Sequence, residues 1–517
     1  MFIKILLLIV FFAIMVGVGL YCRKNATDVG GFVLGGRNVG PWLTAFAYGT
    51  SYFSAVIFVG YAGQFGWKFG LASTWIGIGN AVIGSLLAWV ILGRRTRLMT
   101  QHLGSSTMPE FFGTRFESRS LKIAASVIVF IFLIPYTASL YNGLSRLFSM
   151  AFPGVPYEAC VVLMAILTGI YVIAGGYMAT AINDFIQGII MLFGIVAVIA
   201  AVLNSHGGFM GSLIELAAQT DSTTANGEVP GIFASFFGPD PFGLLCVVIL
   251  TSLGTWGLPQ MVQKFYAIKS EKSINKGTII STFFALVVAG GCYFLGGFAR
   301  ISGLDAVNGT PVGGFDAVVP AMLEKLPELL IAVVLILVLS ASMSTLSSLV
   351  LASSSTLTID FLKDNIIKKM SEKKQVSIMR VLVVVFVVIS AVIAVFQYRS
   401  NVNFIAQLMG VSWGALAGAF LAPFLYGLYG KWVSKASVWV SFIFGAGVMT
   451  LNLFFRPSFP VVLQSPINCG AFAMIAGLIL VPLVSAFTPK QDRATVDGFF
   501  ACYDKSVTVH AKESLGE

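Results

Sequence analysis

The sequence predicts an all-α polytopic membrane protein with about thirteen transmembrane helices, on the grounds of its composition and its long apolar runs. Hydrophobic residues make up 57% of the 517 residues and charged residues 10%, whereas soluble domains contain about 45–50% and about 25%. So few charges cannot cover a water-exposed surface, and most of the outer surface must therefore face lipid. Despite a net charge of +10, the cations lie in loops between apolar runs, which argues against a nucleic-acid-binding face.

Runs of roughly 20 apolar residues, the length that crosses the hydrocarbon core, recur along the whole chain. We interpret the first run as a retained helix rather than a signal peptide, because Arg23 and Lys24 follow it and no small-residue cleavage motif does. The predicted spans cover residues 2–22, 41–65, 71–92, 123–150, 159–177, 184–203, 242–264, 277–299, 328–361, 378–397, 403–427, 436–456 and 466–487.

The positions of Lys and Arg predict the orientation of these spans. With the N-terminus outside, 25 of the 32 Lys and Arg residues lie in segments on the cytoplasmic side, as the positive-inside rule requires. We therefore expect a multi-pass protein of the plasma membrane with an extracellular N-terminus and a cytoplasmic C-terminus. The sequence contains no P-loop, kinase signature or Cys–His cluster, which leaves a secondary transporter, a channel or an intramembrane enzyme.

Two polar segments interrupt predicted spans. Residues 47–54 read AYGTSYFS, where Gly49 is expected to weaken the helix, and hydroxyl residues recur between positions 340 and 358. Irregular polar backbone inside a bilayer is tolerated only against protein or a watery cavity. The two segments are therefore candidate parts of a transport site.

Ser344 and Thr345 are adjacent in the second segment, and Ala341 precedes them by one helical turn. Two neighbouring hydroxyls together with free carbonyls form an oxygen cluster of the kind that coordinates Na⁺ in broken-helix transporters. Helix packing by hydroxyl side chains is the alternative interpretation.

Two further features have alternative interpretations. Asp184 begins an apolar run after a pair of glycines, so it either caps a helix N-terminus or belongs to an ion path. Gly257 and Pro259 lie inside the span 242–264. They indicate either a discontinuous helix that corresponds to the interruption near Gly49 or an ordinary proline kink.

Five stretches along most of the chain, from about residue 35 to 435, resemble the sodium/solute symporter family. Their pattern is closest to the sodium/proline permease branch of that family. The stretches are GGRNVGPW at 35–42, PEFFGTRF at 109–116, GGY with ND and Q at 175–187, GLPQ with F at 257–265, and MSTLS at 343–347.

The resemblance implies a core of five plus five helices in an inverted repeat, with broken helices at the bilayer midplane. It divides the chain into an N-terminal helix and cytoplasmic loop (1–40), a first repeat (41–203), an extracellular loop (204–241), a second repeat (242–435), two peripheral helices (436–487) and a cytoplasmic tail (488–517).

The resemblance also implies functional residues for Na⁺ and for a solute. Na⁺ would be held by the backbone carbonyls of Thr50, Phe53 and Ala341 and by the hydroxyls of Ser344 and Thr345. Asp184 matches an acidic position associated with the ion path. A second Na⁺ would use Ser54, Ser347 and Ser348, although Ile57 replaces a hydroxyl residue there. The expected solute-binding residues are Ser54, Tyr52, Tyr136, Trp256, Gly257 and Pro259.

The solute half of the site departs from the family pattern. Tyr52 stands where a proline permease has Asp, and Val56 and Thr251 stand where it has tryptophans, while Tyr136 is retained. The residues expected for recognising a sugar or sialic acid are missing. The resemblance therefore implies a different small solute, with proline itself a less favoured possibility.

The predicted function is Na⁺-coupled import of a small organic solute, an amino acid or a small carboxylate, by alternating access. We expect a monomer in the lipid bilayer that is not an enzyme and binds no nucleic acid. A sodium/proline symporter is one alternative, and an ion channel or a proton-coupled transporter is an alternative from another class. Proton coupling would depend on Asp184, the acidic residue expected at membrane depth.

Overall fold

A computed structural model describes residues 2–224, 227–324, 326–367, 370–399 and 405–504 of a mostly helical protein. Within these residues, ten helical segments are long and apolar enough to cross a membrane. A bent pair, Pro241–Trp256 and Pro259–Ala267 at 41°, raises the number to eleven. The ten segments are Ile3–Lys24, Val56–His102, Arg119–Ala151, Tyr157–Ser205, Glu271–Gly296, Glu328–Leu362, Glu372–Arg399, Gln407–Tyr429, Lys435–Ser458 and Pro466–Phe487.

The α-helices of the first half precede residue 218. They are α1 (Phe2–Tyr21), α2 (Val29–Leu34), α3 (Pro41–Tyr52), α4 (Ala62–Phe69), α5 (Thr74–Gly79), α6 (Arg94–His102), α7 (Met108–Arg115), α8 (Arg119–Ala151), α9 (Tyr157–Ser205) and α10 (Gly208–Ala217). Wider π-helical turns join some of these helices, at Val56–Tyr61, Asn80–Leu87 and Trp89–Gly93.

The α-helices of the second half begin at residue 241. They are α11 (Pro241–Leu253), α12 (Pro259–Ala267), α13 (Glu271–Ala285), α14 (Gly291–Gly296), α15 (Val318–Glu324), α16 (Glu328–Thr356), α17 (Lys363–Asn365), α18 (Glu372–Arg399), α19 (Ile405–Tyr429), α20 (Lys435–Phe455), α21 (Val461–Gln464), α22 (Pro466–Phe487) and α23 (Arg493–Phe500). Further π-helical turns lie at Leu286–Gly290 and Leu357–Leu362.

Short 3-10 turns and one small hairpin complete the described structure. The 3-10 turns are Cys22–Asn25, Gly35–Arg37, Gly70–Ser73, Ile232–Ala234, Gly254–Trp256, Ala299–Ile301, Phe315–Ala317, Arg456–Ser458 and Ala501–Tyr503. Strands β1 (Ala306–Val307) and β2 (Thr310–Pro311) pair in antiparallel orientation.

Two helical segments are too long to be single spans. Tyr157–Ser205 has 49 residues and Val56–His102 has 47, which is about 70 Å of straight helix against a hydrocarbon core of about 30 Å. Each contains a glycine with positive φ, Gly176 at 54° and Gly70 at 62°. Each segment also overlaps two of the spans predicted from the sequence, so the number of segments falls below thirteen. Thirteen spans and an inverted repeat stay predictions.

Helix α16 is largely enclosed by protein. In its most apolar stretch 72% of the residues are buried, compared with 22% for the N-terminal helix. It packs against α9, α8, α18 and α3. A helix that is enclosed by protein on all sides can present polar side chains without exposing them to lipid.

A β-bridge joins the segment before α3 to the segment after α12. Val39 pairs with Ile268 in parallel orientation. The Val39 N–H donates to the Ala267 carbonyl at 3.1 Å, and the Lys269 N–H donates to the Val39 carbonyl at 3.0 Å. The Arg97 guanidinium adds a hydrogen bond of 2.7 Å to the Ile268 carbonyl. The beginning of α3 and the end of α12 are therefore held together through their backbones.

Helices α4 and α14 approach each other at two glycines. A Cβ atom on Gly66 would lie 1.7 Å from the Gly296 carbonyl oxygen, and a Cβ atom on Gly296 would lie 2.4 Å from the Ala62 carbonyl oxygen. Small residues allow this backbone contact between membrane helices.

The Gly66→Ala substitution should destabilise the protein by about 1–3 kcal/mol, because the added methyl group forces α4 away from α14. The midpoint of thermal unfolding in detergent measures this effect. Gly447→Ala on α20 is the control, since a Cβ atom there would meet no heavy atom within 4 Å. It should leave the midpoint unchanged or slightly raised, because Ala favours a helix over Gly. Equal midpoints for Gly66→Ala and the wild type would contradict the close packing.

Candidate functional site

The second predicted span is broken between α3 and the π-helical turn that leads into α4. Helix α3 ends at Tyr52, and Phe53 has extended backbone angles of φ −87° and ψ 120°. Helical hydrogen bonding resumes with the Phe58 N–H, which donates to the Ser54 carbonyl at 2.9 Å. The last carbonyl groups of α3 therefore have no partner within their own helix.

The prediction that Gly49 marks this interruption is wrong by four residues. Gly49 lies inside α3, where a Cβ atom would come within 2.4 Å of the Phe284 ring, so packing explains this glycine. Close to the break, the Thr50 hydroxyl donates to the Phe46 carbonyl at 2.8 Å and the Ser51 hydroxyl donates to the Ala47 carbonyl at 2.5 Å. Such bonds from side chain to backbone compete with regular helix geometry.

The five residues predicted to hold Na⁺ lie together where α3 ends against α16. The Ser344 hydroxyl lies 3.1 Å from the Thr50 carbonyl oxygen and 3.0 Å from the Ala341 carbonyl oxygen. The Thr345 hydroxyl lies 3.1 Å from each of the same two oxygens and 3.2 Å from the Phe53 carbonyl oxygen. All five residues are buried. We call this group of three carbonyl and two hydroxyl oxygens the oxygen cluster.

The oxygen cluster contains more acceptors than protons. Each hydroxyl has one proton to donate, so the two hydroxyls can satisfy two of the five contacts at a time. The remaining contacts bring oxygen lone pairs against one another in a buried place. A small cation among these oxygens would relieve this repulsion.

Asp184 does not begin a helix, which corrects one of its two interpretations. Helix α9 runs from Tyr157 to Ser205 across Gly176, and Asp184 lies about two turns beyond that glycine. It is completely buried, and its carboxylate lies 3.8 Å from the Lys264 ammonium group. Capping of a helix N-terminus therefore does not explain it.

Lys264 is a polar residue of the site that the sequence analysis missed. Its ammonium group donates to the Ser348 hydroxyl at 3.0 Å and lies 5.2 Å from the centre of the Tyr177 ring. Only 2% of its side chain is exposed. The predicted span ended at residue 264, where the lysine resembled the first residue of a basic loop, but α12 continues to Ala267.

The three serines predicted for a second Na⁺ have different partners. The Ser347 hydroxyl donates to the Ser344 carbonyl at 2.9 Å. The Ser348 hydroxyl accepts from Lys264 and lies 2.9 Å from the Ser51 hydroxyl. Ser54 lies instead beside the Tyr136 hydroxyl.

The predicted solute residues lie beside the break of α3 and at the break between α11 and α12. Tyr136 is buried next to Ser54 and forms an edge-to-face contact with Trp413, with ring centroids 5.9 Å apart. Trp413 could not be identified from the sequence, because its contact with Tyr136 joins two helices that are far apart in the chain, α8 and α19. The Trp256 indole N–H donates to the Ile83 carbonyl at 3.0 Å, which leaves its ring for apolar contact. The side chain of Tyr52 lies outside the described part of the structure.

The second broken helix confirms the predicted interruption at Gly257 and Pro259. Pro259 is the first residue of α12, and Leu258 before it is extended. A Cβ atom on Gly257 would lie 2.8 Å from the Ala417 Cα atom, so this break packs directly against the backbone of α19.

Two solved structures share this architecture. A substrate-bound, outward-open Na⁺-coupled sialic acid symporter superposes with a TM-score of 0.72 at 16% identity, covering 95% of this chain and 99% of the other. A nucleobase-cation-symport-1 family transporter in a closed conformation with bromovinylhydantoin bound superposes with a TM-score of 0.51 at 13% identity, covering 91% and 98%. The chain therefore has the fold of these membrane transporters.

The sequence assigns a family within that class. The family model described as "Sodium:solute symporter family" matches residues 32–445. The chain belongs to the sodium:solute symporter family, and Na⁺ is its coupling ion. Curated relatives include the sodium/proline symporters of Staphylococcus aureus strains JH9 and JH1. Each is 31% identical over 469 residues, covering 86% of this chain and 84% of the relative.

The Asp184–Lys264 pair should show strong energetic coupling. Asp184→Asn and Lys264→Met should each destabilise the protein by about 3–5 kcal/mol, because each leaves one buried charge without its partner. The double variant should be more stable than either single variant in a choline buffer free of Na⁺. Thermal unfolding in detergent measures all four proteins.

The exposed pair Lys431 and Asp497, 2.7 Å apart, is the matched control. Removal of either partner there should change the stability by less than about 1 kcal/mol. Additive effects of Asp184→Asn and Lys264→Met would show that the two groups do not interact.

Proposed function

We propose that this protein imports a small organic solute, an amino acid or a small carboxylate, together with Na⁺ by alternating access. The oxygen cluster carries the proposal, because its three carbonyl and two hydroxyl oxygens share two protons in a buried place. Neutral oxygen ligands suit a weakly bound monovalent cation that must be released in every transport cycle. One charge that crosses a potential of 100 mV contributes about 2.3 kcal/mol to uptake.

Coupling follows from where the ligands of the ion lie. Thr50 and Phe53 belong to the broken end of α3, and Ser344 and Thr345 belong to α16. An ion bound between them holds the two helices in one relative position. Phe53 directly precedes Ser54, which faces Tyr136, so the same ion orders the backbone beside the proposed solute pocket. Movement of α3 relative to α16 would open the cluster and release ion and solute on the other side.

The proposed solute pocket lies near Ser54, Tyr136 and Trp256, at the breaks of the two discontinuous helices. Hydroxyl and aromatic groups suit a compact zwitterion or a small carboxylate better than a strongly ionic ligand. A sodium/proline symporter is the specific alternative, and the relatives from Staphylococcus aureus favour it. Tyr52, Val56 and Thr251 depart from the proline permease pattern, so we propose a solute other than proline.

We also propose the topology that the sequence predicts. Thirteen spans with five plus five helices in an inverted repeat place α3 and the bent pair α11–α12 at corresponding positions of the two repeats, and both are broken. The excess of cations on one side supports an extracellular N-terminus and a cytoplasmic C-terminus. We further propose that the protein is a monomer in the plasma membrane. The ion pair of Asp184 with Lys264 argues against Asp184 as a freely exchanging proton carrier.

Removal of the two hydroxyls should weaken Na⁺ binding. Ser344→Ala and Thr345→Val should each raise the Na⁺ concentration for half-maximal effect by about tenfold, the equivalent of 1.4 kcal/mol for one lost ligand. Na⁺-dependent thermal stabilisation in detergent at constant ionic strength measures this shift without a known solute. Ser355→Ala is the control, since Ser355 is a buried serine on α16 whose hydroxyl donates to the Leu351 carbonyl at 2.7 Å. An unchanged Na⁺ response in the Ser344 and Thr345 variants would remove this site.

Uptake should require a Na⁺ gradient. The test uses proteoliposomes with and without an imposed inward Na⁺ gradient and a panel of labelled amino acids and small carboxylates that includes proline. At least one of these solutes should accumulate above equilibrium when the gradient is present. A proton gradient in choline buffer is the matched control and should drive no accumulation. Flux that is non-saturating and independent of the gradient would identify a channel instead.

A further inference from the structure

The geometry points to the Lys264 ammonium group as a built-in cation that occupies a second cation position, so that the protein binds one Na⁺ per cycle rather than two. This inference rests on the Na⁺-coupled function proposed above and extends it to the number of ions. Lys264 is a buried charged group that the proposed ion site does not itself use, and its surroundings decide what it does.

The ammonium group lies one helical turn along α16 from the oxygen cluster. Its partner Ser348 follows Ser344 by four residues, which is about 6 Å along a helix. On α3 the next residue is involved, because Ser51 directly follows Thr50 and its hydroxyl lies 2.9 Å from that of Ser348. The oxygen cluster and the Lys264 position are therefore two neighbouring sites between the same pair of helices.

The groups around Lys264 are those that would bind Na⁺ if the lysine were absent. They comprise the Asp184 carboxylate at 3.8 Å, the Ser348 hydroxyl at 3.0 Å and the Ser51 hydroxyl behind it. Carboxylate and hydroxyl oxygens are hard donors, which suit Na⁺ and an ammonium group alike. The Tyr177 ring, with its centre 5.2 Å from the ammonium nitrogen, adds a face that attracts a cation.

The charge balance permits one cation at this position. Asp184 is completely buried, and an unpaired carboxylate inside a bilayer is strongly disfavoured, so it needs one positive charge beside it. Lys264 supplies that charge through a covalent tether. A Na⁺ ion in the same place would be in contact with the ammonium group. The two cations would repel each other, and only one carboxylate would be present to balance their two charges. The chain therefore excludes from this position an ion that it would otherwise take up from solution.

The number of bound ions can be counted with Na⁺ alone. An ion that binds only the folded state stabilises it, and above saturation the free energy of unfolding rises in proportion to the logarithm of the ion concentration. The slope of this free energy against log [Na⁺] therefore gives the number of ions bound. Thermal unfolding of the purified full chain in detergent, with choline replacing Na⁺ at constant ionic strength, supplies this slope.

The wild type and Lys264→Arg should give a slope of one ion. Lys264→Met should give two, since Asp184 then recruits a Na⁺ ion, and Lys264→Met combined with Asp184→Asn should return to one. Lys264→Gln provides a second uncharged variant of similar length if the methionine variant does not fold. Combining Lys264→Met with Ser344→Ala tests whether the added ion is separate from the oxygen cluster. The ion at the oxygen cluster should then bind more weakly, while the ion beside Asp184 should keep its affinity.

Two results would overturn the inference while leaving the proposed function intact, namely a slope of two ions in the wild type, or a slope of one in the uncharged Lys264 variants. Failure of the proposed function has a different signature, since the wild type would then show no specific response to Na⁺ over choline.

Discussion

The carbonyl groups at the broken end of α3 impose the constraint on which the site depends. A helix that stops inside a membrane leaves backbone oxygens that neither water nor its own helix can satisfy. The hydroxyls of Ser344 and Thr345 on α16 donate hydrogen bonds to these oxygens, but their two protons cannot satisfy all the contacts between oxygen atoms in the cluster. The remaining deficit of positive charge supports the cation site that we propose at this junction. The enclosure of α16 by protein suits such a site, because its polar face meets protein and not lipid.

Charge is distributed along the same junction in a consistent way. Neutral oxygens meet at the end of α3, while the full charges of Asp184 and Lys264 lie one turn further along α16. A fixed ion pair requires no exchange with solution, whereas a cluster of neutral dipoles binds its ion weakly enough to release it. In the proposed mechanism, the separation of these two arrangements keeps the permanent charges of the protein apart from the Na⁺ ion that it transports.

The sequence was sufficient for the parts of the structure that depend on local pattern. Apolar runs marked the spans, and the five residues of the oxygen cluster were identified by family pattern and lie within hydrogen-bonding distance of their partners. The break of α3 was misplaced to Gly49, because a glycine is required both at a helix break and where a helix packs tightly, as Gly49 does against Phe284. Lys264 was missed because a span boundary and a buried lysine look alike in one sequence. The contact of Tyr136 with Trp413 joins distant helices and leaves no local signal, so the solute half of the site could be predicted only by resemblance.

The β-bridge between Val39 and Ile268 ties the start of one broken helix to the end of the other. Backbone hydrogen bonds do not depend on the side chains present, so this link persists through most substitutions at either residue. Helices α3 and α12 then share one anchor, and a tilt of one carries the other with it. The oxygen cluster lies at the end of α3 far from this anchor, whereas Lys264 lies about one turn before the anchored end of α12. We therefore expect a motion of the joined pair to change the geometry at the proposed Na⁺ site and at Lys264 together.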